Sequence, residues 1–117
     1  MPSLGAYGEQ LASDYLERHG FKVLKLNARV QHLEIDLVAS QKDEIILVEV
    51  KTRRLPGLVS AIDSLSKAKI KRLKRARLLY AINHKIPLIK VRLDFIAIDL
   101  YTLEKKANIK HFISITG

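Results

Sequence analysis

Apolar positions along the chain recur first at helical and then at strand spacing, which predicts an α/β protein. Between residues 4 and 19, Leu4, Tyr7, Leu11 and Tyr15 fall on one side of a helix, with Ala12 and Leu16 at its edge. Ser3 is a suitable N-cap and Gly20 a suitable stop. Glu9 projects onto the border of that apolar stripe, near Leu16. The alternation of F-K-V-L-K-L (21–26) predicts a strand, and Q-H-L-E-I-D-L-V-A (31–39) alternates more strictly. Leu33, Ile35 and Leu37 take one face there, while Glu34, Asp36 and Val38 take the other. S-Q-K-D (40–43) reads as a turn and 44–51 as the returning strand of an antiparallel hairpin. After a loop at Pro56-Gly57, a long helix is predicted over 59–83, then strands over 90–99 and 109–115. The expected architecture is a mixed β-sheet of four to five strands flanked by helices, in a single domain spanning 1–117.

The strand E-I-I-L-V-E-V-K-T-R-R (44–54) carries the candidate chemistry. Ile45, Leu47, Glu49 and Lys51 share one face, and Ile46, Val48 and Val50 share the other, so a central strand covered on both sides is expected. Charge enters only where the strand leaves the core. A short hairpin brings Asp36 level with Glu49, and two such carboxylates plus the Val50 carbonyl form a hard oxygen site suited to Mg²⁺ or Mn²⁺. An ammonium at Lys51 would stand beside a cation and a phosphate, where it could orient an attacking water or offset charge developing on phosphorus. Taken alone, Glu49 and Lys51 are better read as an ordinary strand-end ion pair, worth about 0–1 kcal/mol if exposed, and it is Asp36 and Glu9 that shift the balance toward a site.

Charge narrows the partners. Lys and Arg number 21 against 12 Asp and Glu, a net charge of +9. A field of that sign concentrates polyanions, nucleic acid above all. Its densest part is K-A-K-I-K-R-L-K-R-A-R (67–77), with seven basic residues and no acid. On a helical projection Ile62, Leu73 and Tyr80 define an apolar side, flanked by Leu65, Ile70 and Ala76, with Lys67, Lys71, Lys74 and Arg75 opposite. A merely solvated face mixes signs to gain ion pairs one turn apart. A membrane-surface helix would favour Trp and Phe on its apolar side, so contact with a phosphate backbone is the better reading. Lys69 and Arg77 fall toward the apolar side and must snorkel or find partners. The absence of cysteine removes disulfides, thiol nucleophiles and Cys-based zinc sites, and the four histidines are scattered. No signal peptide or apolar run of membrane-spanning length is visible, so a cytoplasmic protein is expected, with no membrane partner.

These motifs together resemble the YraN-like bacterial family of predicted endonucleases, distantly related to archaeal Holliday junction resolvases within the PD-(D/E)XK superfamily. The resemblance rests on Gly5, Gly8-Glu9, Ala12, Tyr15-Leu16, Gly20, Leu24 and Asn27, on E-I-D-L-V (34–38) and V-E-V-K-T-R (48–53), and on the basic helix and R-L-D-F-I-A-I (92–98). It implies a restriction endonuclease-like core with Asp36, Glu49 and Lys51 in the nuclease positions and Glu9 as an additional acid that binds metal or positions water. It further implies that Thr52 and Arg53 lie where a phosphate approaches, that Lys67 or Lys69 reaches the cleft, and that the chain forms a homodimer acting on branched or structured DNA. Relatives carry Gly where this chain has Leu33, immediately before Glu-Ile-Asp. Three readings therefore stand: a metal-dependent endodeoxyribonuclease, a nucleic-acid-binding module that keeps the fold without turnover, and an RNA-directed nuclease. The last is disfavoured by an aromatic content of 6%.

Overall fold

The computed structural model describes residues 3–57 and 59–116. Its elements are helix α1 (Leu4–Arg18), strands β1 (Lys22–Val30), β2 (Leu33–Gln41) and β3 (Glu44–Leu55), helix α2 (Lys67–Asn83), and strands β4 (Val91–Tyr101) and β5 (Lys106–Phe112). One five-stranded sheet runs in the order β1-β2-β3-β4-β5, antiparallel throughout except for the parallel pair β3–β4. A parallel pair needs a crossover, and α2 supplies it. Among the described residues, no helix is long and apolar enough to cross a membrane.

The central strand explains the layering. Ile46, Val48 and Val50 of β3 pack with Leu37, Ala39, Ile96 and Ile98 beneath Ala12 and Leu16 of α1. Leu47, on the other face, packs with Val38, Val91 and Leu93 beneath Leu73, Ala76 and Ala81 of α2. Each fully buried Leu or Ile here contributes about 1.5–3 kcal/mol of apolar transfer. The two-sided apolar run is therefore what makes β3 a scaffold rather than an edge.

Several boundaries differ from the sequence reading. Residues 59–66 are not helical: α2 begins at Lys67, with the Ser66 hydroxyl accepting from Lys69 N–H at 3.1 Å. Upstream, the buried Asp99 carboxylate accepts from Ala61 N–H at 2.8 Å and fixes a short 3-10 turn, Ile62–Ser64. Ile62 thus packs against the sheet from that turn, near Phe95 and Ala97, rather than from the helix. Strand β1 continues to Val30 through a bulge near Leu24, β3 continues to Leu55, and β5 starts at Lys106. On α1 the residues that bury are Gly8, Ala12, Ser13 and Leu16, whereas Tyr7 is half exposed. The helix approaches β3 so closely that a Cβ on Gly8 would lie 1.7 Å from the Thr52 hydroxyl oxygen, so a large side chain cannot take that position. Ser3 caps α1 through Ala6 N–H, and Gly20 follows its end at φ +87°.

Strict alternation also fails in β2. Leu33 and Ile35 pack on the α2 side, whereas Leu37 packs on the α1 side. The break falls at Asp36, where β2 parts from β3: their pairing runs from Gln41–Glu44 to Leu37–Val48 and goes no further. Leu33 is buried there as a core residue.

Candidate active site at the fork between β2 and β3

The parting of β2 and β3 opens a fork, and the next residues on its two arms are Asp36 and Glu49. Asp36 uses Oδ2 to accept from Val50 N–H at 2.8 Å, replacing the ladder bond that a continued pairing would have made. In an extended strand a residue's N–H and C=O point to the same edge, so the Val50 carbonyl faces the fork as well. Glu49 is buried and pairs with Lys69 of α2, Nζ to Oε2 3.0 Å. The Asp36 carboxyl lies within hydrogen-bonding reach of Glu49, and its pKa is pushed up to about 7. Burial is the main cause and the Glu49 charge the second; Val50 N–H and the Lys69 ammonium pull the other way. Two carboxyls in this position cannot both ionise cheaply without added positive charge.

Glu9 stands near the same fork. Partial burial raises its pKa, helped by the charges of Asp36 and Glu34. Asp36, Glu34, Asn27 and Arg29 line a small recess at the tip of the β1–β2 hairpin, where Arg29 and Glu34 form an exposed ion pair of 2.9 Å. Lys51 follows Glu49 on β3, half-buried, and among the described residues it has no carboxylate within ion-pair distance. The ordinary explanation of the acid-x-Lys step, a Glu49–Lys51 pair, is therefore not what the structure contains. Glu49 is satisfied by Lys69, and the Lys51 ammonium is uncommitted.

The donor set fits a hard divalent cation. Two carboxylates and a carbonyl are the kind of partial shell that Mg²⁺ accepts, since it keeps several waters rather than using an all-protein cage. Among the described residues no three Asp, Glu or His side chains come together to hold a metal ion, so Glu9 does not complete a three-carboxylate set with Asp36 and Glu49. The raised Asp36 pKa and the borrowed Lys69 charge both mark a place where positive charge is wanted.

The other sequence-stretch candidates divide. Lys67, Lys71, Lys74 and Arg75 are all exposed on the outer ridge of α2. Of the two lysines proposed to approach the cleft, Lys69 does so and Lys67 does not. Thr52 points to the opposite face from Glu49, buried beneath Gly8 with its hydroxyl unpartnered, so the structure does not bring it together with Asp36, Glu49 and Lys51. Arg53 lies two positions beyond Lys51, half-buried, and its Nε is also without a partner. The Lys69–Glu49 pair was not foreseeable, because helical projection only said that Lys69 faced the sheet.

A second polar cluster sits inside the α1 side of the sheet. Arg92 grips Asp94 with two bonds of 2.9 Å, His111 Nε2 donates to Asp94 at 2.8 Å, and Ser114 N–H adds a fourth bond. Burial pushes Asp94 up, but these donors outweigh it and hold its pKa below the usual value. The Tyr15 hydroxyl meets His111 Nδ1 at 3.3 Å, tying α1 to β5. Every Asp94 lone pair is occupied, so this network is a structural strut.

Comparison with known proteins agrees with the sequence motifs. The profile described as "Uncharacterised protein family UPF0102" matches residues 8–98. The chain belongs to this family. It is 35% identical over 111 residues to a UPF0102 protein of Syntrophomonas wolfei, covering 95% of each chain. It is 36% identical over 109 residues to one of Flavobacterium psychrophilum, covering 93% of this chain and 89% of the relative. A UPF0102 protein of Parabacteroides distasonis is 39% identical over 95 residues, 81% of this chain and 78% of its own. The matched span of the UPF0102 profile includes Glu9, Asp36, Glu49, Lys51 and Lys69.

Proposed function

We propose that this UPF0102 protein is a metal-dependent endonuclease of the PD-(D/E)XK type, hydrolysing phosphodiester bonds in DNA of branched or otherwise structured form. The observation that carries the reading is the pairing of half-buried Asp36 with buried Glu49 at an open strand fork beside two lysines. A structural role does not call for such a pair, because like charges in a half-buried site cost stability.

Asp36, Glu49 and the Val50 carbonyl would hold Mg²⁺ or Mn²⁺, with Glu9 as an outer acid. The ion, when bound, supplies Lewis-acid stabilisation of charge on the phosphoryl oxygens. The protein's own residues do the rest. Lys51 projects from the rigid β3 on the Glu49 side, so its ammonium orients the attacking water and offsets negative charge at the pentavalent phosphorus. Lys69 neutralises Glu49 in the resting protein, a task that a bound cation would share. A cation held there would favour the ionised form of Asp36. The ridge of Lys67, Lys71, Lys74 and Arg75 would hold the phosphate backbone, and Arg53, half-buried with its Nε unpartnered, would meet a flanking phosphate.

The test is cleavage of linear, flapped and four-way DNA, and of matched RNA, with Mg²⁺ or Mn²⁺. Wild type should cut a DNA substrate, with Lys51→Ala and Glu49→Gln each slower by at least about a hundredfold. Binding without metal-dependent cutting on any substrate would replace this reading with that of a non-catalytic module. Cutting that survives both substitutions would assign the activity to a contaminant.

A further inference from the structure

The small recess at the β1–β2 hairpin takes in Asn27, Arg29, Glu34 and Asp36, so the fork's own carboxyl forms one of its walls. We propose that Asn27 and Arg29 make this recess a subsite for one backbone phosphate of a nucleic acid, next to the phosphate held at the fork. It rests on the reading that a nucleic acid and a cation meet at Asp36 and Glu49, and it adds two residues to that reading.

The strand pairs Leu26–Leu37 and Ala28–Ile35 set Asn27 opposite Asp36 in register. Asn27 is exposed and holds φ at +54°, in the left-handed region. It therefore stands across from the point at which β2 changes faces, Ile35 packing on the α2 side and Leu37 on the α1 side. A left-handed residue in mid-strand is uncommon, and such positions gather at functional sites. Glycine would meet that backbone demand at least steric cost, so the bend by itself does not call for asparagine. What asparagine adds is an uncharged amide donor in the recess that holds Asp36.

Arg29 stands two positions nearer the hairpin tip, opposite Glu34. It grips that carboxylate through one bond, Nη2 to Oε1 at 2.9 Å, rather than through the two-pronged contact a guanidinium can make. The side chains are 64% and 71% exposed, and an ion pair in that setting contributes little to folding and exchanges readily. A phosphate offers the planar fork two oxygens at once, so it can displace Glu34 and keep Arg29 at the mouth of the recess. Glu34, Asp36 and the nearby Glu9 would repel an anion there by themselves. A cation at the fork offsets them, so the phosphate and the cation enter together.

Anisotropy titration of labelled duplex and four-way DNA in Ca²⁺, a hard cation that takes oxygen ligands, tests the subsite, with the DNA checked intact on a denaturing gel. Arg29→Ala should weaken binding about tenfold and lower the slope of log affinity against log salt by about one. Glu34→Gln removes the competing carboxylate and should tighten binding severalfold. Asn27→Gly keeps the left-handed backbone and should weaken binding about three- to tenfold at an unchanged slope. A hairpin tie with no ligand gives another pattern: Arg29→Ala and Glu34→Gln lower the melting temperature alike and leave affinity and slope where they were. That pattern, or wild-type affinity and slope in Arg29→Ala, would overturn the subsite alone. Wild-type affinity in Asn27→Gly would strike Asn27 from it. Failure of the wild type to bind either DNA would remove the subsite together with the nucleic-acid reading. The expected shifts without cutting in Mg²⁺ would keep the subsite and remove the nuclease.

Discussion

Replacing Asp36 with Asn separates a functional carboxyl from a structural one. In the folded apoprotein the Asp36 pKa stands at about 7, against an ordinary 3.8. A raised folded pKa means that the native state binds the proton more tightly than the unfolded chain does. The stability tied to that proton is fully present below about pH 4 and is lost as pH rises to 7. At about 1.4 kcal/mol per pH unit, the full loss is about 4 kcal/mol, of which about 3 kcal/mol falls between pH 5 and pH 8. Asn keeps the oxygen that accepts from Val50 N–H and cannot ionise. Urea denaturation of wild type and Asp36→Asn in EDTA at both pH values reads the effect. The variant's advantage over wild type should grow by about 3 kcal/mol from pH 5 to pH 8. An advantage independent of pH, or a variant less stable than wild type at pH 8, would refute the claim that the carboxyl is held in an unfavourable setting.

Three further outcomes follow from the same geometry. Lys69→Met leaves the buried Glu49 without its counter-charge, so in EDTA it should lose about 3–5 kcal/mol by denaturant titration, with Mn²⁺ restoring part of the loss. Gly8→Ala sets a methyl against the Thr52 hydroxyl and should cost about 1–3 kcal/mol; the double variant Gly8→Ala/Thr52→Ala should recover much of it in a thermodynamic cycle. Removing Lys71, Lys74 and Arg75 together should lower the slope of log affinity against log salt by about three without changing the preferred DNA structure, as measured by anisotropy.

The legible parts of this fold were those in which local pattern and tertiary demand coincide. The run at 45–50 is apolar on both faces because β3 is covered by a helix on each side, so its centrality could be read directly. The hairpin that brings Asp36 to Glu49 was readable from the turn at 40–43 and the matched alternation around it. The chain's place in its family was readable from motifs spread over most of its length. What stayed hidden depends on contacts distant in sequence. Asp99 seizes Ala61 N–H across 38 residues and keeps 59–66 from joining α2, although that segment has helical apolar spacing. Small residues mislead a hydrophobicity scale: Gly8 and Ser13 bury because α1 must come close to β3, while Tyr7, Leu11 and Tyr15 stay wholly or partly outside. The change of faces at Asp36 arises where β2 leaves its partner, and no local residue announces it.

The most direct measurement is anomalous X-ray scattering from crystals soaked in Mn²⁺. The account expects a single peak at the β2–β3 fork, within coordination distance of Asp36 and Glu49, with Lys69 withdrawn from Glu49. A well-ordered crystal showing the Lys69–Glu49 bridge intact and no ion there at saturating Mn²⁺ would contradict it.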